Sequence, residues 1–318
     1  MFFGALIALP FALDKPWLVN IAIFTLLYAV LASAWNLVGG YAGYPSLGHA
    51  AFFGVGAYAE ALFYQHRSAG GGYGPLLAAV PVGLAVAVVA LPVAWIAMRT
   101  RADVFAIVTI TLLFVVQSLA FNLRGLTGGS QGIALPAPPF DPAHFERPFY
   151  FAALALLAVA MTVSLAVVRS KTGLFLLAIR ADEDKAEGAG IRVTLVKLTA
   201  FGLSAGLTGA AGAIWAYYVA FVYPQFAIDP LVTIGMVLMT YLGGRATLWG
   251  PVVGAFLLTP VQQYLAYRFG GAQLYLVGYA AVFLGVMLLM PQGILVFGRS
   301  NIPGGSGPRR LKPAARRA

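Results

Sequence analysis

The chain has 318 residues, of which 61 % are hydrophobic and only 9 % are Asp, Glu, Lys or Arg. Its formal net charge is +10 and its mean hydropathy is +0.87. A folded soluble domain needs a more polar exterior than this composition supplies, and a disordered chain has far fewer apolar residues. The composition therefore excludes a soluble enzyme, a disordered chain and a nucleic-acid-binding protein, and predicts an all-α, polytopic integral membrane protein in contact with membrane lipid.

Apolar segments long enough to cross a bilayer recur along the whole chain. A membrane helix needs roughly 20 mostly apolar residues, and every span should be helical because lipid tolerates no unpaired backbone groups. The sequence predicts clear spans at about 18–39, 76–98, 149–169, 195–221 and 274–297. It also predicts shorter or glycine-interrupted spans at about 44–65, 104–121, 228–243 and 248–266, preceded by a short or partly inserted helix at 2–13. A transmembrane domain over residues 1–298 with about eight to ten transmembrane helices follows.

A glycine-rich stretch interrupts the hydrophobic pattern between two of these spans. Residues 38–45 read Val-Gly-Gly-Tyr-Ala-Gly-Tyr-Pro, and Asn36, Ser46 and His49 flank them. A broken membrane helix frees backbone groups, which is tolerated only where the break is buried in protein or lines a cavity. Each flanking polar residue taken alone is more often a hydrogen-bond partner of a neighbouring helix. Together they make this stretch a candidate cavity lining.

Two connecting segments are long enough to carry a role of their own. Segment 122–148 holds a glycine-rich run followed by five prolines, and segment 169–194 holds four of the ten acidic residues. In the second segment, Asp182 can cap a helix whose first turn favours acidic residues. Gly188 and Gly190 can end that helix. The sequence therefore predicts a short surface helix of about two turns between two spans.

The basic residues indicate the orientation of the chain. If the basic tail 299–318 is cytoplasmic, the alternation of spans places 169–197 and the short loops near 99–103 and 244–247 on the same side, together with most Lys and Arg residues. Cytoplasmic loops of membrane proteins are enriched in these residues. We therefore expect a cytoplasmic, disordered C-terminal tail near anionic lipid, and segment 122–148 on the opposite side of the membrane.

Several kinds of chemistry are absent from the sequence. The chain has no Cys, its three His residues are scattered, and it contains neither a Gly-x-x-x-x-Gly-Lys-Ser/Thr loop nor a His-Glu-x-x-His or Gly-x-Ser-x-Gly motif. We therefore expect no catalytic residues, no metal site, no cofactor and no ATP hydrolysis in this chain itself.

Five stretches resemble, in the right order, the signatures of LivM-type permeases, the membrane subunits of ATP-binding-cassette (ABC) importers for branched-chain amino acids. The stretches are 36–58, 126–133, 178–212, 242–255 and 291–294. Two positions depart from the family pattern. Tyr44 and Pro45 stand where the family often has Gln and an aliphatic residue, and Glu60 stands where a small or hydroxyl residue is more usual.

The resemblance implies an ABC importer permease fold in a bacterial-type inner membrane, and translocation of branched-chain or other hydrophobic amino acids. It also implies three kinds of partner: a second, LivH-like permease subunit, two ATPase subunits that hold ATP and Mg, and a periplasmic or extracellular substrate-binding protein. Segment 178–194 would then couple this chain to an ATPase subunit.

The resemblance and the loop pattern together assign candidate residues to three roles. The candidate ATPase-coupling residues are Arg180, Asp182, Glu183, Ala186, Gly188, Gly190 and Ile191. The candidate substrate pathway consists of Asn36, Ser46, His49, Gln117 and Asn122. The candidate residues for docking of the binding protein or for gating are Thr127, Gly128, Gly129, Ser130 and Gln131.

Other interpretations stay open at this point. Related permeases of the same superfamily carry urea, short amides or sugars, and the signatures do not separate these substrates. A stand-alone channel or secondary carrier would transport without ATP, although coupled carriers usually keep charged groups within their spans and acidic residues are scarce there. A membrane scaffold would use the polar residues for packing only.

Overall fold

The computed structural model describes residues 2–12, 15–66 and 72–269, with six isolated positions between 278 and 294. The predicted span 274–297, apart from those positions, and the tail 299–318 lie outside the described residues. The helices are α1 (Phe2–Ala12), α2 (Pro16–Trp35), α3 (His49–His66), α4 (Gly74–Ala97), α5 (Ala102–Asn122), α6 (Arg124–Thr127), α7 (Glu146–Arg169), α8 (Lys171–Ala181), α9 (Glu183–Gly188), α10 (Val193–Val219), α11 (Pro224–Ala227), α12 (Pro230–Gly243) and α13 (Gly250–Phe269). Two short strands, β1 (Ile133–Ala134) and β2 (Phe221–Val222), pair in antiparallel fashion.

The helices confirm the predicted all-α, multi-pass architecture. Among the described residues, six segments are long and apolar enough to cross a membrane. They are Pro16–Tyr41, Gly74–Ala97, Ala102–Asn122, Glu146–Arg169, Val193–Val219 and Pro224–Gly243. Helices α3 and α13 have 18 and 20 residues and coincide with two of the shorter predicted spans. The expected first helix is present as α1, which is held to α7 by a hydrogen bond from Tyr150 Oη to the Leu6 carbonyl (2.7 Å).

The break after α2 begins later than the sequence predicted. Residues Asn36–Tyr41 continue α2 as a π-helical turn, so the helix ends at Tyr41, two residues beyond the predicted span 18–39 and within the predicted interruption 38–45. Glycine allows the Trp35 ring to pack directly against the backbone of this turn, because a methyl group on Gly39 would lie 2.1 Å from the ring. Pro45 then prevents helical continuation, since proline lacks an N–H group and restricts the preceding residue. The non-helical break, residues 42–48, separates this turn from α3.

Helix α10 lies at the centre of the bundle and packs against α2, α3, α4 and α7. Glycine makes the closest of these contacts possible, because a methyl group on Gly56 of α3 would lie 2.1 Å from the Gly209 carbonyl oxygen of α10. One turn earlier in α10, Gly206 lies close to Gly83 of α4, where a methyl group on Gly83 would lie 2.8 Å from the Gly206 carbonyl oxygen. Membrane helices associate through such close packing of small residues, because lipid supplies no hydrophobic driving force between them.

The two loop segments singled out in the sequence are attached to different parts of the bundle. Segment 122–148 is joined to the C-terminal end of α10 by the β1–β2 pair, in which Ile133 faces Val222. Segment 169–194 precedes the N-terminal end of α10 and contains α8 and α9. Because α10 spans 27 residues, the two segments are held at opposite ends of the central helix.

Candidate functional site

The candidate coupling segment folds as two helices rather than as one. The sequence predicted a single helix of about two turns, but α8 precedes it, and the two are separated by Asp182 in extended conformation (φ −165°, ψ 109°). The predicted cap is confirmed, because Asp182 Oδ1 accepts a hydrogen bond from the Lys185 N–H (3.1 Å). Asp182 also pairs with Lys185 Nζ at 2.7 Å. The hydrogen bonds from Lys185 lower the pKa of Asp182 below its usual value, so the cap is charged at neutral pH.

The C-terminal end of α9 is closed by the predicted glycines. Gly188 is its last residue and Gly190 adopts a left-handed conformation (φ +85°), which lets the Ile191 N–H reach back to the Ala186 carbonyl (3.2 Å). This 6→1 hydrogen bond is the mark of a Schellman motif, for which glycine is the preferred residue. Ala186 is buried, Ile191 packs against the core, and the charged side chains of Asp184, Lys185 and Glu187 are exposed.

Polar contacts join this segment to the π-helical turn and to the break that follows it. Arg180 Nη1 donates a hydrogen bond to the Gly40 carbonyl (3.0 Å) in the π-helical turn. Glu183, the first residue of α9, pairs with Lys197 Nζ of α10 at 2.6 Å. The Tyr44 hydroxyl of the break contacts both members of that pair.

The polar residues around the break are paired within the chain. The Asn36 amide donates to the Thr247 carbonyl (2.9 Å) and accepts from the Ala246 N–H (2.8 Å), so it ties the π-helical turn to the loop before α13. His49 is completely buried, with Nδ1 2.7 Å from Ser46 Oγ and Nε2 2.7 Å from Ser204 Oγ. These contacts bring Ser46 and His49 together and attach Asn36 to a different loop.

Gln117 and Asn122 lie on α5, away from the break. Gln117 is half-buried and its Nε2 donates to the Ile228 carbonyl (2.8 Å), which attaches α5 to the turn before α12. Asn122 is exposed, and its Nδ2 donates to the Ser118 carbonyl of the same helix (2.8 Å). The structure therefore separates the five candidate pathway residues into distinct groups.

The candidate docking or gating residues form a compact turn at the opposite end of α10 from α9. Thr127 Oγ1 bonds to the Leu123 carbonyl (2.9 Å) and accepts from the Gly129 N–H (3.2 Å), while Gly128 is left-handed (φ +70°). Ser130 and Gln131 are exposed beyond it. The backbone is thus fixed and the two polar side chains are accessible.

The sequence assigns no role to two buried charged residues, Lys197 and Glu60. Lys197 was counted with the loop 169–197, yet it lies within α10 and its side chain is 1 % exposed. A single basic residue at the start of a predicted span is the signal that could have revealed it, because a charge inside a bundle needs a partner. Glu60 is also fully buried, in α3, and among the described residues no hydrogen-bonding partner contacts its carboxylate.

Comparison with known proteins places the chain in a family. It is 28 % identical to the high-affinity branched-chain amino acid transport system permease protein LivM of Salmonella typhimurium, over 97 % of this chain and 76 % of that protein. It is also 28 % identical to the protein of the same name in Escherichia coli K12, over 93 % of this chain and 74 % of that protein. No solved structure matches the chain. The family model described as the permease component of the branched-chain amino acid transport system matches residues 17–291, and the chain therefore belongs to this permease family.

Proposed function

We propose that the chain is a transmembrane permease subunit of an ABC importer, and that it translocates branched-chain or other hydrophobic amino acids across the inner membrane of a bacterial-type cell. The observation that carries the proposal is α9. It is short, capped at both ends and charged on its exposed side, while its first residue is bonded to the membrane bundle. A rigid helix of this kind can transmit movement of an ATPase subunit to the spans.

The proposed assembly contains a second permease subunit, two ATPase subunits that bind ATP and Mg, and a substrate-binding protein. The chain itself contributes no catalytic group, and ATP hydrolysis belongs to the ATPase subunits. We place α9 and the tail 299–318 on the cytoplasmic side, and the exposed turn with Ser130 and Gln131 on the side of the binding protein. The distribution of basic residues supports this orientation.

We further propose that α5 lines the substrate pathway, at the boundary with the second permease. Thr111, Ser118 and Asn122 are exposed and lie at i, i+7 and i+11, on one face of this helix. Three exposed polar side chains on one face of a span favour a cavity or a partner subunit over lipid, because lipid offers these groups no hydrogen-bonding partner. Asn36, Ser46 and His49 have their polar groups paired within the chain, so their proposed role is to shape the end of the pathway near the break.

Reconstitution of the complex in proteoliposomes tests this function. We expect uptake of radiolabelled leucine that requires ATP, the ATPase subunits and the binding protein, and that unlabelled isoleucine or valine competes for. Replacement of residues 182–187 with a Gly/Ser stretch of equal length should abolish uptake while the chain stays inserted in the membrane, because the rigid α9 is lost.

Two matched comparisons make the result decisive. Complexes with an ATPase subunit that cannot hydrolyse ATP should also lose uptake, and competition with urea, acetamide or ribose should have no effect. Uptake by this chain alone and without ATP would establish a channel or secondary carrier instead. Normal uptake by the Gly/Ser variant would remove α9 from the mechanism.

A further inference from the structure

A buried cation lies where the candidate coupling helix meets the membrane bundle. The Lys197 side chain is 1 % exposed, and its Nζ lies 2.6 Å from Glu183 Oε1 and donates to Tyr44 Oη at 2.8 Å. The Tyr44 hydroxyl in turn donates to the second oxygen of Glu183. These three side chains, the Lys197 cluster, come from α10, from the break and from α9, so a single polar cluster holds three separate elements together.

A second contact, beside the cluster, joins the end of α8 to the π-helical turn and the break. Arg180 at the end of α8 donates a hydrogen bond to the Gly40 carbonyl (3.0 Å). Gly43, in the break, is left-handed (φ +77°) and so close to Arg180 that a methyl group there would lie 2.7 Å from Arg180 Cγ. Segment 180–183 therefore contacts residues 40–44 through the Arg180–Gly40 hydrogen bond, the close packing of Gly43 on Arg180, and the hydrogen bond from the Tyr44 hydroxyl to Glu183.

We infer that Lys197 and Tyr44 are positioning residues for transport, which join α9 to the break so that a displacement of α9 moves the junction between α2 and α3. The inference rests on the proposed function, since it takes α9 as the helix that an ATPase subunit moves. The break is bonded to α2 and to α5: the Trp35 indole N–H of α2 donates to the Ser46 carbonyl (2.7 Å), and the Leu47 N–H donates to Thr109 Oγ1 of α5 (3.0 Å). Movement of the break therefore also reaches the proposed pathway helix.

The burial of Lys197 makes the contact with Glu183 energetically important. Removal of one partner from a buried ion pair leaves an uncompensated charge, whereas an exposed pair contributes little. Glu183 supplies the carboxylate partner of the buried Lys197 side chain, and displacement of α9 would take that partner away. The cluster therefore stabilises the arrangement in which α9 contacts the break. Energetic coupling between distant sites is carried by contiguous networks of polar and packing contacts, and the cluster is one such network.

A charge-reversal cycle tests the inference in the reconstituted complex. Lys197→Glu and Glu183→Lys should each lower the ratio of leucine uptake to ATP hydrolysis by about tenfold, which is within the range that mutations between coupled sites produce. The double variant restores opposite charges at the two positions, and its ratio should return to within about threefold of the wild-type value. Lys171→Met, which removes an exposed lysine of α8, is the matched control and should leave the ratio unchanged.

Tyr44→Phe keeps the ring and removes only the hydroxyl, and thus tests the cluster without reversing a charge. It should lower the same ratio by about threefold, less than a charge reversal, because the hydroxyl's hydrogen bonds to Lys197 and Glu183 are lost while those two side chains still pair directly. Equal ratios in the wild type and all single variants, or a double variant as impaired as the single ones, would overturn the inference.

The same cycle has a second readout, the midpoint temperature of thermal unfolding of the purified complex, which is measured without substrate. Both reversals should lower the midpoint and the double variant should recover most of the loss, while additive losses would refute the pairing. A wild-type complex that transports none of the amino acids offered would instead contradict the proposed function, and the stability cycle would still decide the pairing.

Discussion

At the scale of single residues, the hydrogen-bond chain through His49 permits one neutral form of the imidazole. Ser204 Oγ donates its only proton to the Ala34 carbonyl (2.6 Å), so it can only accept from His49 Nε2. His49 Nδ1, which then carries no hydrogen, accepts a hydrogen bond from the Ser46 hydroxyl. The chain of bonds connects α2, α3 and α10, and its members are buried. We assign His49 a structural role, in which it fixes these three helices beside the break.

Two buried serines give a matched test of that role. Ser204→Ala should lower the free energy of unfolding by about 1–3 kcal/mol, because the His49 Nε2–H group loses its acceptor and stays buried. Ser33→Ala is the control, since among the described residues no hydrogen-bonding partner contacts Ser33 Oγ. Its effect should be close to zero or slightly stabilising. Thermal unfolding of both variants in lipid nanodiscs measures the difference, and equal stabilities would contradict the assignment.

At the scale of elements, α4 and α5 expose different faces. The exposed large side chains of α4 are all apolar, as expected for a helix in contact with lipid. The exposed face of α5 carries Thr111, Ser118 and Asn122 among its apolar residues. This difference favours α5, rather than α4, as the helix beside the proposed pathway.

Two threonines in similar surroundings separate a pathway role from simple exposure. Thr111 of α5 and Thr162 of α7 are both exposed, and each donates to a carbonyl four residues earlier, at 2.9 and 2.7 Å. Thr111→Val should lower leucine uptake by about threefold, the effect of one lost hydrogen bond to a passing substrate or its water. Thr162→Val should leave uptake unchanged. Proteoliposome uptake at equal amounts of complex is the measurement, and equal rates for both variants would exclude this face from the pathway.

Local signals account for the elements that the sequence predicted. The spans follow from runs of apolar residues, and α9 follows from Asp182 at its start and Gly190 after its end, because caps act within a few residues. The structure corrected the features that depend on distant contacts. Asn36 is bonded to residues some 210 positions away, and Lys197 meets Glu183 and Tyr44 across three elements. Helix α8 was not predicted, because the basic residues at its ends, Lys171 and Arg180, made residues 171–181 resemble a connection between spans.

At the scale of the whole molecule, hydrogen bonds hold three segments that are distant in sequence together at one end of the bundle. The π-helical turn contacts Arg180 through Gly40, and it contacts Ala246 and Thr247 through Asn36. The break, the α8–α9 segment and the loop before α13 therefore lie together, and their basic residues favour the cytoplasmic side. The β1–β2 pair and the turn at 127–131 lie at the other end of α10.

This arrangement predicts opposite labelling of two positions from the two sides of the membrane. The chain has no Cys, so a single introduced thiol reports on its own location. Ser130→Cys should react with a membrane-impermeant maleimide in intact spheroplasts. Lys185→Cys should react only after permeabilisation, because α9 has to meet an ATPase subunit in the cytoplasm. Both side chains are exposed in this chain, so in spheroplasts that lack the ATPase subunits a difference in labelling reflects the side of the membrane rather than burial. Labelling of Lys185→Cys from outside would invert the orientation, and α9 could not then couple the spans to cytoplasmic ATP hydrolysis.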